Sequence, residues 1–467
     1  MSSRIPANPP PARSSSPGRI RYVLFVTGVA AIGGFLFGYD TAVINGANTY
    51  LKAAFQLTSA QEGLAGASAI LGCIPGAMFA GSLSDRYGRR RLLFVCAVLY
   101  ALSAVFSAIP RTFVEFVVAR FVGGVGIGAS SILCPVYIAE IAPEKWRGRL
   151  GTLFQLGIVT GIFLTLFVNQ LVQGFGGEAW NTAVGWRWML GLEFVPAAIF
   201  LGMLFAVPES PRWLVQQGRD AEARKVLLRV AGEGHADQEM SAIRRALGGE
   251  QGRWGEFLAG PFRRPLLIAV VIMACSQFCG INAIMFYSTK IFAAAGGGQD
   301  VAFSSSVWVG LINLLFTFVA IAFVDRLGRK PLLLIGTLVQ VVALALVGWA
   351  FHTQQQGPVL LFCVVIFIAA FAMALGPIGW LLCSEIFPNK FRGRAMSVAA
   401  FTVWVCCFIV AQTFPMLNDN PVIGPAITFW IYALVSLFAF GFVAWCIPET
   451  KGRTLEEIEA RWIEHPR

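Results

Sequence analysis

The hexapeptide DRYGRR occupies residues 85–90 of this 467-residue chain, and DRLGRK occupies residues 325–330, which is 240 residues later. Two further pairs keep nearly the same spacing. EIAPEKWRGR begins at Glu140 and EIFPNKFRGR at Glu385, while PESPRWL begins at Pro208 and PETKGRTL at Pro448. Three motif pairs in one order at nearly one spacing indicate an internal duplication, so the sequence predicts two equivalent halves.

The composition predicts a membrane protein. Hydrophobic residues make up 57% of the chain and charged residues only 13%, whereas soluble proteins carry about 25% charged residues. A helix needs about 20 apolar residues to cross a bilayer. We predict an all-α membrane protein with twelve transmembrane helices in two pseudo-symmetric six-helix bundles. The predicted spans are 20–44, 63–83, 92–110, 114–137, 150–172, 187–207, 265–290, 303–324, 331–351, 358–383, 396–416 and 424–447.

The remaining segments are predicted to be cytoplasmic. The N-terminal bundle covers 20–208 and the C-terminal bundle 263–447, and the polar, helix-prone stretch 209–262 should form linker helices between them. Residues 1–19 are rich in Pro, Ser and Arg and are predicted to be a disordered tail. A signal peptide is the competing interpretation, but the apolar run is too long and no cleavage site follows it. Residues 448–467 form a second tail.

The distribution of basic residues predicts the orientation. The loops SDRYGRRR, PEKWRGR, DRLGRKP and PNKFRGR are basic, and they alternate with loops such as HTQQQGP and NDNPVIG that lack Lys and Arg. Basic loops stay in the cytoplasm, so we expect both termini inside and a multi-pass protein of the inner (cytoplasmic) membrane. The net charge of +11 is then a topology signal. Nucleic-acid binding is disfavoured because the arginines are spread over separate short loops.

Several function classes lack their motifs. The chain has no P-loop, no cluster with metal-ligand spacing and no nucleophile–histidine–acid set, so an ATP-driven pump and an enzyme are both disfavoured. The ten cysteines lie in apolar stretches and are predicted to be small core residues rather than zinc ligands. GGVGIG at 123–128 differs in spacing from a dinucleotide-binding loop and follows no strand, so we expect these glycines to permit close helix packing.

A series of motifs resembles the sugar-porter branch of the major facilitator superfamily. The match runs in order from about residue 20 to residue 459 and consists of DRYGRR, RFVGGVGIG, PVYIAEIAPEKWRGRLG, PESPRWL, QFCGINAIMFYS, DRLGRK, GPIGW, SEIFP..FRGR and PETKGRTLEEIE. The resemblance implies a transporter that rocks around a central site, either a monosaccharide facilitator or a sugar–proton symporter, with no cofactor. We accordingly expect a monosaccharide, protons and membrane lipid as partners, and a monomer.

Three charged residues lie well inside predicted spans, away from the span ends, namely Asp40, Arg120 and Glu193. An isolated charge in a bilayer is costly, so we expect the three to cluster. Two carboxyls would then share one guanidinium, and burial together with like-charge repulsion favours a proton on one carboxyl. The resemblance agrees, because in proton-coupled sugar porters the acid at the position of Asp40 is the coupling site facing the arginine, and human glucose facilitators lack that acid. A static ion triad that only holds the first bundle together is the alternative.

The repeated loop motifs predict a cytoplasmic gate. Acidic and basic residues on two moving halves could hold the inner side closed while the outside is open. By resemblance, Glu140 would pair with Arg392, and Glu385 with Arg147, across the halves. Solvated loop charge that only sets topology is the alternative. The gate residues are Asp85, Arg86, Arg89, Glu140, Arg147, Asp325, Arg326, Arg329, Glu385 and Arg392.

Amides and aromatic rings are candidates for binding a sugar. Amides match hydroxyls that both donate and accept, and aromatic rings cover the apolar faces of the sugar ring. Family members often carry glutamine where Ser276 stands, and glutamine or asparagine where Val403 stands, so a relative's specificity is not assumed. Packing between helices is the alternative role. The resemblance places seven residues at the site: Phe37, Gln155, Gln277, Asn282, Asn313, Trp380 and Trp404.

Three functions therefore compete at the level of sequence. Import of a hexose or pentose with protons is favoured. A passive monosaccharide facilitator is the main alternative, and a sugar sensor that does not transport is the third. The sequence leaves the identity of the sugar open.

Overall fold

The computed structural model describes residues 17–230, 232–247, 257, 262–296, 298–355, 357–387, 389–452, 457 and 462. Within those residues the chain forms helices and no strand, and twelve helices are long and apolar enough to cross a membrane. The predicted fold class is confirmed. In chain order these helices are Ile20–Phe55, Ser59–Tyr87, Arg89–Ala108, Phe113–Ile141, Trp146–Gln173, Glu178–Met203, Arg263–Ala294, Gln299–Val324, Arg329–His352, Pro358–Glu385, Phe391–Asn418 and Gly424–Cys446.

Parts of three predicted segments lie outside the described residues. They are residues 1–16 of the N-terminal tail, 231, 248–256 and 258–261 of the linker, and most of the C-terminal tail after residue 452. The described part of the linker contains three helices, Pro211–Gln216, Asp220–Val230 and Glu233–Leu247. Trp213, Leu214, Ala223, Leu227 and Met240 form a small apolar core of their own there.

The first transmembrane helix is longer than predicted, because it continues to Phe55 instead of ending near residue 44. Asn45 and Asn48 lie in this extension, and both side chains are buried and donate hydrogen bonds. The second helix begins at Ser59, where Thr58 and Gln61 form a capping box. Only three residues therefore separate the two helices at what we take as the outer face.

Two transmembrane helices of the C-terminal half are interrupted near their middle. The seventh consists of Arg263–Phe278 and Ile281–Ala294, joined through Gly280 in a left-handed conformation with φ of 87°. The tenth consists of Pro358–Met373 and Leu375–Glu385, with Ala374 between them outside helical geometry. Interrupted helices leave backbone groups free in the middle of a transporter, where substrates bind.

The two halves repeat the same helix pairings. In the first half the second helix packs on the fourth, the first on the fifth and the third on the fourth. In the second half, correspondingly, the eighth helix packs on the tenth, the seventh on the eleventh and the ninth on the tenth. The halves meet where the second helix contacts the eleventh, the fifth contacts the eighth and the first contacts the seventh. A methyl group at Gly124 would lie 1.8 Å from the Ala69 carbonyl oxygen, which confirms that these glycines permit close helix packing.

Candidate functional site

The structure brings the three buried charges of the first half together. Asp40, Arg120 and Glu193 come from the first, fourth and sixth helices, and their exposed fractions are 0%, 1% and 1%. The Arg120 guanidinium donates from Nη1 to Asp40 Oδ1, and from Nη2 to the Asp40 carbonyl oxygen at 2.9 Å. The Glu193 carboxyl lies within electrostatic range of both partners and within hydrogen-bonding range of Asp40. We call this cluster the acid–arginine triad.

The triad carries two negative charges and one positive charge when both carboxyls are ionised. Asp40 Oδ2 and Glu193 Oε1 are buried and receive no hydrogen bond from any described protein group. An unpaired buried carboxylate oxygen is costly. A proton on either carboxyl would supply the missing donor, because the two carboxyls are neighbours. The arrangement can therefore hold one exchangeable proton, and Arg120 cannot take that role since its guanidinium stays charged.

At the cytoplasmic end of the first half, Arg89 is the centre of an ion cluster. Its side chain contacts Glu140 at 3.1 Å and Asp85 at 2.9 Å. Ser210 donates to Glu140 from the start of the linker. Glu209 accepts from the backbone N–H groups of the residues that begin the third helix, at 2.9 and 3.0 Å.

The second half repeats this cluster residue by residue. Arg329 contacts Glu385 at 2.8 Å, and Thr450 donates to Glu385 at 2.6 Å. Glu449 accepts backbone N–H groups at the start of the ninth helix. Burial alone would raise the pKa of Glu449, but the N–H donors from Lys451, Arg329, Lys330 and Thr450 lower the pKa below its usual value.

The predicted pairs across the halves do not occur in this conformation. Glu140 and Glu385 instead bind Arg89 and Arg329 of their own halves. Arg147 is exposed, and the Arg392 guanidinium donates to the Phe387 carbonyl oxygen at 3.4 Å.

The other gate residues lie at the periphery of the two clusters. Arg86 is exposed and stacks over Tyr87, and Arg326 is exposed. The side chain of Asp325 lies outside the described residues.

Two predicted sugar ligands meet at the break in the seventh helix. Asn282 donates to Gln277 Oε1 at 2.6 Å, and Gln277 donates to Ser276 Oγ at 2.9 Å. The rings of Phe37 and Trp404 approach to 5.5 Å between centroids, which joins the first and eleventh helices. The predicted ligands therefore include an amide pair and an aromatic pair.

The other three predicted ligands are placed separately. Gln155 is half-buried in the fifth helix, Asn313 is 7% exposed in the eighth, and Trp380 is 37% exposed just after the break in the tenth. No described hydrogen bond or ring contact joins their side chains to the amide pair or the aromatic pair.

A charge cluster at the opposite end of the molecule was missed by the sequence reasoning. Glu62 is 1% exposed and contacts Lys52 at 2.7 Å and Lys290 at 2.9 Å. Asp419 contacts the same two lysines at 3.0 and 2.9 Å, and Ser59 donates to it at 2.8 Å. Lys52 and Glu62 belong to the first half, and Lys290 and Asp419 to the second. We call these four residues the outer cluster.

Further hydrogen bonds close the same end. Asn45 donates to the Met285 carbonyl oxygen at 2.7 Å and to Ser288 at 2.6 Å, and its own backbone oxygen accepts from Thr289 at 2.7 Å. The signal in the sequence was the polar residues at or just beyond the ends of the predicted spans.

Comparisons with known proteins agree with this architecture. The family described as "Sugar (and other) transporter" matches residues 26–462. The arabinose-proton symporter of Bacillus subtilis is 39% identical, covering 99% of both chains. The D-xylose-proton symporter of Escherichia coli K12 is 39% identical, covering 94% of this chain and 96% of its own. A partially occluded, inward-open structure of the xylose transporter XylE from E. coli is similar with a TM-score of 0.84 at 37% identity, covering 93% of this chain and 100% of its own.

Proposed function

We propose, since this chain belongs to the sugar transporter family, that it imports a monosaccharide together with protons by alternating access. The relatives at 39% identity are named for arabinose and xylose symport with protons, which favours pentoses among the candidate sugars. The observation that carries the proton-coupled form of the proposal is the acid–arginine triad. It offers a protonatable carboxyl in a bundle that is otherwise apolar at that depth.

Coupling follows from the charge balance of the triad. With both carboxyls ionised, one guanidinium faces two negative charges, and the pair Asp40–Arg120 is stabilised by a strong ionic hydrogen bond. A proton on Asp40 weakens that bond and frees Arg120 to turn towards Glu193. Protonation thus changes which helices are tied together, from the first and fourth to the fourth and sixth. That is the kind of bistable element that a transport cycle requires.

The outer cluster supports closure of the external side. Its ion pairs Lys52–Asp419 and Lys290–Glu62 cross between the halves. Burial opposes the charge of Asp419, but hydrogen bonds from Lys290, Asn418 and Ser59 lower the pKa of this carboxyl well below its usual value. A lowered pKa means that the stabilisation is present above the usual titration range of aspartate and is lost only at still lower pH. Asp419 therefore stays ionised at the mildly acidic external pH that drives proton uptake.

The cytoplasmic gate forms the other half of the cycle. While the outer cluster is closed, Glu140 and Glu385 bind arginines of their own halves. In the outward-open state we propose that Glu140 turns to Arg392 and Glu385 to Arg147. The role of the predicted gate residues rests on this exchange of partners.

The sugar is proposed to bind beside the break at Gly280. Gln277 and Asn282 hydrogen-bond each other there, so a sugar hydroxyl can replace an existing amide contact without leaving a partner unpaired. Phe37 and Trp404 close over the apolar face of the ring, and Gln155, Asn313 and Trp380 complete the lining from the fifth, eighth and tenth helices.

The cellular setting follows the same proposal. We propose a monomer in the inner membrane with both termini in the cytoplasm, surrounded by lipid. The basic residues at the inner ends of the second and eighth helices support that orientation.

The purified protein in proteoliposomes tests the function. Uptake of arabinose, xylose, galactose and glucose is measured with and without an imposed inward proton gradient, and with an uncoupler. We expect gradient-driven accumulation of at least one sugar, lost with the uncoupler. Equilibration that ignores the gradient would identify a passive facilitator. Binding of a sugar without any flux would favour the sensor.

A further inference from the structure

Two serines of the third helix keep unused hydroxyl groups beside the triad. Ser103 and Ser107 are each 1% exposed, and neither hydroxyl makes a hydrogen bond to a described protein group. Buried serines elsewhere donate back to their own helices. Ser68, Ser130 and Ser436 do so at 3.0 Å in each case. A buried hydroxyl without a hydrogen-bond partner is costly, so we expect each of the two serines to have a partner such as a bound water molecule.

Ser103 and Asp40 border the same small space. A methyl group placed on Gly123 would lie 2.3 Å from Ser103 Oγ and 3.7 Å from Asp40 Oδ2. Both of these oxygens lack a hydrogen-bond partner among the described protein groups. The Ser103 side chain fills the space that a side chain at residue 123 would occupy, so its hydroxyl and Asp40 Oδ2 border the same glycine, and a rotation of the hydroxyl or one bound water molecule would pair them.

Ser107 extends this polar path towards the outer face. The third and fourth helices run antiparallel, with Gly126 facing Leu99 and Gly123 facing Ser103. The same register brings Ser107 to the level of Arg120, whose Nε also lacks a partner among the described groups. Ser107 is in the last turn of a helix that ends at Ala108. Residues four apart share one helix face, so the two serines form a line that ends at the outer surface.

We propose that Ser103 and Ser107, with bound water, form the path by which protons reach Asp40 from outside. The proposal rests on the proton-coupled function proposed above. In each step an oxygen of the path accepts one proton and releases another to the next oxygen, and the last proton is bound by the Asp40 carboxylate. The path is separate from the sugar site, so proton binding does not need the central cavity to be open.

Other titratable groups around Asp40 do not provide this path. Arg120 and Glu193 belong to the triad itself. Cys73 of the second helix and Tyr100 of the third lie within electrostatic range of Asp40, but Tyr100 shares its hydroxyl with Ser130 at 2.8 Å. Tyr39, the neighbour of Asp40 on the first helix, is buried and lies within electrostatic range of Glu193. Next to Gly123, the hydroxyl that lies near Asp40 Oδ2 is that of Ser103.

Variants of the full-length protein in proteoliposomes test the path. Ser103→Ala and Ser107→Ala are compared with Ser103→Thr, which keeps the hydroxyl, and with Ser436→Ala, a buried serine of the second half that donates to its own helix. The readouts are the initial rate of gradient-driven sugar uptake against external pH, and sugar counterflow without a gradient.

We expect Ser103→Ala to slow gradient-driven uptake about three- to tenfold, as the loss of one water-mediated contact would, with counterflow unchanged. Ser107→Ala should have a smaller effect in the same direction, and the two control variants should match wild type. A pH profile of Ser103→Ala identical to wild type would overturn the path, as would an equal loss of counterflow. If wild-type uptake ignores the gradient, the proposed function fails instead.

Discussion

The two halves of the molecule agree at their cytoplasmic ends and differ in their interiors. Arg89, Glu140 and Ser210 recur as Arg329, Glu385 and Thr450 with the same contacts. Yet the charges of the triad have no counterpart. At the repeat spacing Asp40 corresponds to Gly280, and the segments that correspond to Arg120 and Glu193, 360–365 and 433–438, contain no charged residue.

This difference separates two tasks. The duplicated ends perform a mechanical task that both halves share, namely to hold neighbouring helices at the inner surface. In the function proposed above, the interiors divide the chemistry, with a proton site in the first half and neutral amides for the sugar in the second. Coupling then requires that protonation in the first half changes the conformation of the second half. Substitutions at the interface between the halves can therefore block coupling.

The largest effect is expected from Arg120→Leu. This change leaves Asp40 and Glu193 buried without a counter-charge, and removing one partner of a buried pair typically costs about 3–5 kcal/mol. Gradient-driven uptake and counterflow should both fall below detection in proteoliposomes. Arg111→Leu, at an exposed position in the outer loop before the fourth helix, is the control and should transport normally. Normal uptake by Arg120→Leu would show that the triad is not needed.

Glu62→Gln should have the next largest effect, because it removes the buried acid of the outer cluster. The closed outer face loses two ion pairs, and a shift of about 1.4 kcal/mol changes the ratio of open to closed protein tenfold. A single cysteine introduced near the outer end of the seventh helix should react severalfold faster with a membrane-impermeant thiol reagent. The matched control is Glu115→Gln, whose carboxylate accepts a backbone N–H from Arg111 of its own half. Equal reactivity in both variants would show that the outer cluster does not hold the outer face closed.

Gln277→Ala and Asn282→Ala test whether the amide pair of the second half binds the sugar. Each deletes one member of the amide pair, so sugar binding should weaken by about threefold to tenfold, the usual worth of a hydrogen bond. Gln340→Ala is the control, because Gln340 is a fully buried amide of the ninth helix in the same half. Binding is measured by tryptophan fluorescence or by isothermal titration with each sugar. Unchanged affinities for Gln277→Ala would place the site elsewhere.

Val403→Asn should have the smallest effect on overall activity and the most selective one. Val403 is half-buried next to Trp404, where relatives often carry an amide. A new amide favours only sugars with a hydroxyl within reach, and otherwise remains unpaired. The ranking of pentoses and hexoses should therefore change. An equal shift for every sugar would mean that the eleventh helix does not contact the substrate.

Much of this organisation could be predicted from the sequence, since hydropathy and the motif repeat are local signals. The twelve helices follow from the hydropathy of the chain. The clustering of Asp40, Arg120 and Glu193 follows from the cost of burying an isolated charge. Contacts that depend on conformation could not be predicted this way. Glu140 and Glu385 bind Arg89 and Arg329 of their own halves instead of the expected arginines across the halves, and we propose that the expected pairs belong to the outward-open state.

The outer cluster was missed for a different reason. Lys52, Glu62, Lys290 and Asp419 are far apart in sequence and lie at helix ends, where charges are usually solvated. The packing of the second helix against the eleventh, and of the first against the seventh, brings them together. Gly63 has a role in that approach, because a methyl group there would lie 2.2 Å from the Gln412 carbonyl oxygen.

The central claim is that Asp40 binds the coupled proton, and Asp40→Asn tests it most directly. An amide mimics only the protonated carboxyl, so the variant should exchange sugar across the membrane without using the gradient. Wild type and Asp40→Asn are reconstituted side by side, and uphill accumulation under a proton gradient is measured together with counterflow. We predict that the variant keeps counterflow and loses accumulation. Full gradient-driven accumulation by Asp40→Asn would contradict the account.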